Sequence, residues 1–140
     1  MYKTIFHDSQ KAKNVGLLIL RCGIGLIFVR HGVGKLLAGL EMWHWLGSSM
    51  SHLGIHFAHT FWGFAAACAE ALGGLSLIAG FGTRISAGVM GFVMFVAFVM
   101  HYTKGDAWTT LSHPLSLFVV FIALVVMGSG RYSLDAYFEK

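Results

Sequence analysis

Four long apolar runs separated by shorter polar stretches dominate the chain, at about residues 15–37, 61–81, 85–102 and 114–130. A hydrocarbon core of about 30 Å takes roughly 20 residues of helix to cross, and each run meets or approaches that length. None alternates apolar and polar positions over about ten residues, as the strands of a membrane barrel do. The pattern predicts an all-α fold, an integral membrane four-helix bundle occupying residues 1–140 as one domain. Residues 82–84 are the whole connection between the second and third runs, which makes those helices antiparallel neighbours. Pro114 suits the first turn of the fourth helix, where its missing N–H costs nothing, and Gly128 and Gly130 suit its end.

The stretch between the first and second runs is longer and different. It carries Trp43, Trp45, His44, His52, His56 and His59. Its early part, LEMWHWLGSSMSHL, forms a short helix with one apolar face, expected to lie against the outer headgroups at the depth that tryptophans favour.

Composition agrees with a membrane reading. Hydrophobic residues make up 56% of the chain and charged residues 11%, against about 25% charged in a soluble domain. The mean hydropathy is +0.71. A net charge of +4 invites a nucleic-acid reading, but no basic run or soluble domain is there to carry one. Topology accounts for the excess. With the N-terminus inside, Lys3, Lys11, Lys13, Arg84, Arg131 and Lys140 fall on the inner face, and Lys35 and Lys104 on the outer. The positive-inside rule then favours both ends in the cytoplasm. The polar first fourteen residues lead into a full-length run with no small-residue cleavage site after it, so that run is expected to stay as an uncleaved anchor. Cys22 and Cys68 lie in apolar runs without a Cys-x-x-Cys pair, which suits packing residues rather than a thiol–disulfide relay.

Ionisable groups inside the runs require a reason, since a charge at the bilayer centre costs about 2.5–3.5 kcal/mol on insertion scales. Arg21 and Glu70 carry that cost. Counted along their helices from the inner end, they fall within side-chain reach, and they are expected to pair. Such a pair serves either as a register-fixing structural contact or as a proton or ligand site. Arg21, Gly25, Phe28, Gly32 and Lys35 trace one helical face, which should look into the bundle. Arg30 lies roughly opposite and should snorkel to the outer interface. In the second run Ala65, Ala69 and Gly73, with Ala66, Glu70 and Gly74 beside them, are expected to let helices approach closely.

His31, Lys35, His101 and His113 fall near the outer ends of three different helices. Converged, they would supply hydrogen-bond donors and protons to a quinone head group. His52, His56 and His59 sit at helical spacing, but Gly54 interrupts them and no carboxylate or Cys completes a ligand set, so no metal site is expected.

Three strings, LRCGIGLIFVRHGVGKL, AEALGGLSLIAGFGTRISA and HPLSLFVVFIALVVMGSGRYSLD, resemble in order and spacing the first span, the second span with its inner turn, and the last span with its tail in the DoxX family. The matching positions are Arg21, Gly32, Lys35, Glu70, Gly73, Gly74, Thr83, Arg84, Gly130, Ser133, Leu134 and Asp135. The resemblance implies a multi-pass protein of the bacterial inner (cytoplasmic) membrane. Family relatives include the membrane subunit of a thiosulfate:quinone oxidoreductase and proteins linked with sulfur or oxidative-stress metabolism. It thus implies a membrane subunit of a quinone-linked oxidoreductase, not catalytic alone, with a soluble partner carrying the redox cofactor. In that reading Glu70 and Arg21 relay protons, while Lys35, His31, His101 and His113 hold the head group. No recognisable motif encodes a cofactor. The rival reading is a non-enzymatic membrane scaffold or lipid-binding protein, and either allows a homo-oligomer through the small-residue faces.

Overall fold

The computed structural model describes the backbone of residues 2–139 and the side chains of residues 9–139. Lys140, and the side chain of Lys3, which entered the charge count, lie outside the described residues. The helices are α1 (Tyr2–Ala38), α2 (Leu40–Gly47), α3 (His59–Ala79), α4 (Thr83–Thr103), α5 (Trp108–Met127) and the short α6 (Leu134–Phe138). A 3-10 turn, Ser48–Leu53, follows α2, and no strand occurs among the described residues. Four segments are long and apolar enough to cross a membrane: Ser9–Ala38 of α1, and α3, α4 and α5. Many apolar side chains point outward, among them Leu26, Leu72, Ile85, Val119 and Val126, which is a liability in water and suits lipid.

Two helices begin earlier than the apolar runs. α1 continues back through residues 2–14, because Lys, Gln and Ala are good helix formers and no Gly or Pro interrupts them. Hydropathy marks the lipid-facing part of a helix and not its first turn. For the same reason α5 opens at Trp108, and its polar first turns hid the start. Pro114 is therefore not in the first turn but inside the helix, and buried.

The face of α1 that carries Arg21, Gly25, Phe28 and Gly32 is its buried face. It packs on α3 at backbone distance. A Cβ added at Gly25 would lie 2.7 Å from the carbonyl oxygen of Gly74, and one at Gly32 would strike the backbone of Ala71. Between helices in lipid, packing replaces the hydrophobic drive, and small residues permit it. Gly73 admits Met90 of α4 in the same way, where a Cβ would come within 2.6 Å of its Sδ. Phe28, Leu77, Met90, Met94, Phe121 and Leu124 fill the centre of the bundle.

The short helix expected after the first span is present as α2, and it is built onto the bundle. A side chain at Gly63 would collide with the carbonyl of Trp43, and one at Gly47 with that of His59, so α2 and α3 touch backbone to backbone. The following 3-10 turn buries Ser49 and Met50, and Ser49 Oγ donates to Met100 Sδ of α4 at 3.0 Å. This segment caps the ends of α3 and α4. As a result Ala65, Ala66 and Ala69 do not draw a helix close, as their size suggested. They line a space beneath the cap.

Both chain ends lie at one end of the bundle, where Asn14 Oδ1 accepts from the Arg131 backbone N–H at 3.0 Å. That end is here the terminal end, and the one holding α2 the capped end.

Candidate functional site

Glu70 is 1% exposed, and its partner is Lys35. The Lys35 Nζ lies 2.7 Å from each carboxylate oxygen. The expected Arg21–Glu70 pair does not form. In a helix every Cα–Cβ bond tilts toward the helix N-terminus. α1 and α3 are antiparallel, so Glu70 leans toward the capped end while Arg21 leans away from it. Lys35, further along α1, leans back toward Glu70, and the two meet. Counting residues placed Arg21 near enough but ignored the direction of its side chain. It also took the span to start near residue 15, too late. A further consequence is that Lys35 is engaged inside the bundle and does not belong among the charges of the outer loops.

Lys35 and Glu70 form part of the wall of two cavities that also share Met94 and Ala97. One, about 440 Å³, lies among α1, α3, α4 and α5, with Ile27, Phe28 and Leu117 as apolar walls. His31, His101 and His113 line it too, so the four residues expected near the span ends share one cavity with Glu70. The other, about 260 Å³, lies beneath the cap and is lined by Trp62, Met50 and Met100 with the three alanines. Sequence reasoning missed two contributors. Asp106, in the loop before α5, holds His101 with Oδ2 at 2.6 Å from Nδ1. The backbone carbonyl of Lys35 accepts from Trp43 Nε1 at 3.0 Å, which fixes the end of α1 beside α2.

This arrangement has a definite chemical capacity. A proton moved from Lys35 to Glu70 turns an ion pair into a neutral pair, and the net charge of the two stays zero. Such a transfer would add no net charge in a low-dielectric region, where an unpaired ion is expensive. Three histidines and a carboxylate bordering one cavity give a proton several places to rest.

Three other histidines serve another purpose. His59 lies 3.1 Å from Ser51 Oγ, His44 lies 3.3 Å from Thr60 Oγ1, and His52 lies 2.6 Å from Thr103 Oγ1. They fasten the capping segment to α3 and α4. No group of three His, Cys, Asp or Glu side chains in a metal-holding arrangement occurs among the described residues.

Arg21 belongs to a second polar centre, at the terminal end. Fully buried, it donates to the carbonyls of Leu77 at 2.8 Å and Tyr132 at 2.6 Å. Its target at Leu77 is one of the last carbonyls of α3, where the helix supplies only a 3.2 Å bond from the Gly80 N–H. Asp135 completes the junction. Its carboxylate accepts from the backbone N–H groups of Gly82 at 2.7 Å and Thr83 at 3.1 Å, and its own N–H donates to Gly80 at 2.9 Å. The tail thus caps the start of α4, where the N-cap Gly82 has no side chain to do so. Burial pushes the Asp135 carboxyl up, but the hydrogen bonds to it, those from the two backbone N–H groups foremost, together outweigh that and hold the group below the ordinary carboxylate range. A carboxylate so depressed stabilises the fold above the ordinary range, and that contribution is lost as pH falls through the lowered folded value. Asp135→Asn, which loses the charge and one of the two accepting oxygens, should cost about 1 kcal/mol at neutral pH. The penalty should vanish in strongly acid solution, as read by thermal unfolding in detergent at a series of pH values. An equal penalty at every pH would rule out the carboxylate as the cap.

The family model for DoxX matches residues 16–103. The chain is also similar to the inner membrane protein YqjF of Escherichia coli (strain K12), 28% identical over 139 residues, covering 94% of this chain and 98% of that protein. No solved structure matches the chain.

Proposed function

From its membership of the DoxX family of inner-membrane proteins, we propose that this chain is the quinone-binding membrane subunit of an oxidoreductase. The observation that carries this reading is the shared wall: Lys35, Glu70, His31, His101 and His113 border one largely apolar cavity of about 440 Å³. Sites for amphipathic ligands are mostly apolar with a few convergent polar groups. A quinone head group needs donors for its carbonyls and an apolar place for its tail, and these residues fit both needs. When bound, it would supply two-electron chemistry coupled to two protons. Lys35, His31 and His113 would donate to the head group, Glu70 would hold or yield a proton through Lys35, and Asp106 would orient His101. Arg21 has no part in this, because it is committed to the terminal junction. Electrons would come from a soluble partner subunit that carries the redox cofactor. On the charge count the terminal end would face the cytoplasm, with the cavity toward the outer leaflet.

The test is a calorimetric titration of the detergent-purified protein with a decyl-substituted benzoquinone. Saturable binding at one site is expected, weakened about tenfold or more in His113→Ala, whose side chain is exposed enough to remove without disturbing the core. Absence of saturable binding, or binding indifferent to His113, contradicts the reading. The scaffold alternative draws on the second cavity, which is almost wholly apolar and would accept a lipid chain with no redox partner.

A further inference from the structure

The same cavity carries a polar group that no side chain supplies. Pro114 lies inside α5 and has no N–H, so the carbonyl of Thr110, four residues earlier, loses its ordinary helical donor. The nearby serine hydroxyls do not replace it: Ser112 Oγ donates to Thr109 at 3.2 Å, and Ser116 Oγ to Ser112 at 2.7 Å. Thr110 and Pro114 both line the cavity. An unpaired carbonyl beside an apolar space seeks a donor. Lys35 already spends two of its three N–H bonds on Glu70. The cavity therefore accepts hydrogen bonds as well as donating them, and a ligand with acceptors alone leaves the Thr110 carbonyl unanswered.

We propose that the cavity selects the hydroxylated form of its ligand, an alkylated hydroquinone, with one hydroxyl donated to the Thr110 carbonyl. This rests on the quinone-site reading and names the redox form that the site prefers. A diketone offers no donor. A hydroquinone offers two.

The experiment compares three probes under anaerobic conditions on the full chain in detergent: a decyl-substituted benzoquinone, its hydroquinone, and the hydroquinone's di-O-methyl ether, which keeps the ring and tail and removes both donors. The hydroquinone should bind about tenfold more tightly than the ether, the effect of one hydrogen bond to an otherwise unpaired group. Pro114→Ala gives the helix back its N–H, so the Thr110 carbonyl is satisfied internally. In that variant the hydroquinone should fall to the affinity of the ether while the benzoquinone is unchanged. Alanine is the better helix former, so the variant keeps the fold, and the wild-type comparison of hydroquinone with ether stands without it. Equal affinities of hydroquinone and ether, or a preference for hydroquinone that survives Pro114→Ala, overturns the proposal while leaving the quinone site in place. Failure of all three probes to bind the wild type overturns both.

Discussion

Lys35→Met is expected to destabilise the bundle by about 3–5 kcal/mol, because it leaves the Glu70 carboxylate buried with no cation. Glu70 is 1% exposed, and Lys35 is its salt-bridge partner. The single change should do far more harm than removing both charges. The Lys35→Met/Glu70→Leu double variant should recover most of the loss, because two apolar side chains replace an ion pair whose desolvation cost is also gone. A double-mutant cycle in detergent unfolding measures the coupling directly. A loss below about 1 kcal/mol for Lys35→Met would place the pair with weak surface salt bridges. The pair would then be no part of the bundle's interior. The double variant should fold and lose ligand binding, which separates the cost of the site from its use.

The second large effect is at the other end of the molecule. Arg21→Ala removes two charged hydrogen bonds, to the carbonyls of Leu77 and Tyr132, each worth about 1.5–3 kcal/mol. A loss of about 3 kcal/mol or more is expected. It has a local signature, because the Tyr132 bond joins α1 to the C-terminal tail. Trypsin should cut after Arg131 much faster in Arg21→Ala than in the wild type or in Lys35→Met. Arg21→Lys, with one ammonium in place of a fork, should fall between. Equal cleavage in Arg21→Ala and Lys35→Met would show that Arg21 does not hold the tail.

These two centres explain what was legible in the sequence. The four spans were readable because apolar length alone marks a membrane helix. The inward face of α1 was readable because Arg21, Gly25, Phe28 and Gly32 recur at helical spacing. The grouping of His31, Lys35, His101 and His113 followed from their common depth, since residues near the ends of neighbouring spans fall at one level. The choice of partner was not legible. Arg21 and Lys35 lie on one face of α1 and are both cations, and only the tilt of the Cα–Cβ bonds in antiparallel helices decides which of them meets Glu70. Nor did the positions that carried the resemblance reveal that they fall into two groups. Lys35 and Glu70 border the cavity, whereas Arg21, Thr83 and Asp135 meet at the terminal junction. The start of α5 was hidden because Trp108, Thr109 and Thr110 carry no apolar periodicity, which made Pro114 look like a first-turn residue and concealed the carbonyl that it frees. Asp106 gave no signal of its own, since an acidic residue in a short polar loop is ordinary until the fold sets it beside His101.

The most direct measurement is mass spectrometry of the organic extract from protein purified with its native lipid, wild type beside the folded Lys35→Met/Glu70→Leu variant. A near-stoichiometric quinone or hydroquinone in the wild type, absent from the variant, is the expected result. Phospholipid alone in both, at equal amounts, would contradict a quinone site at Lys35 and Glu70 and leave the pair a structural contact.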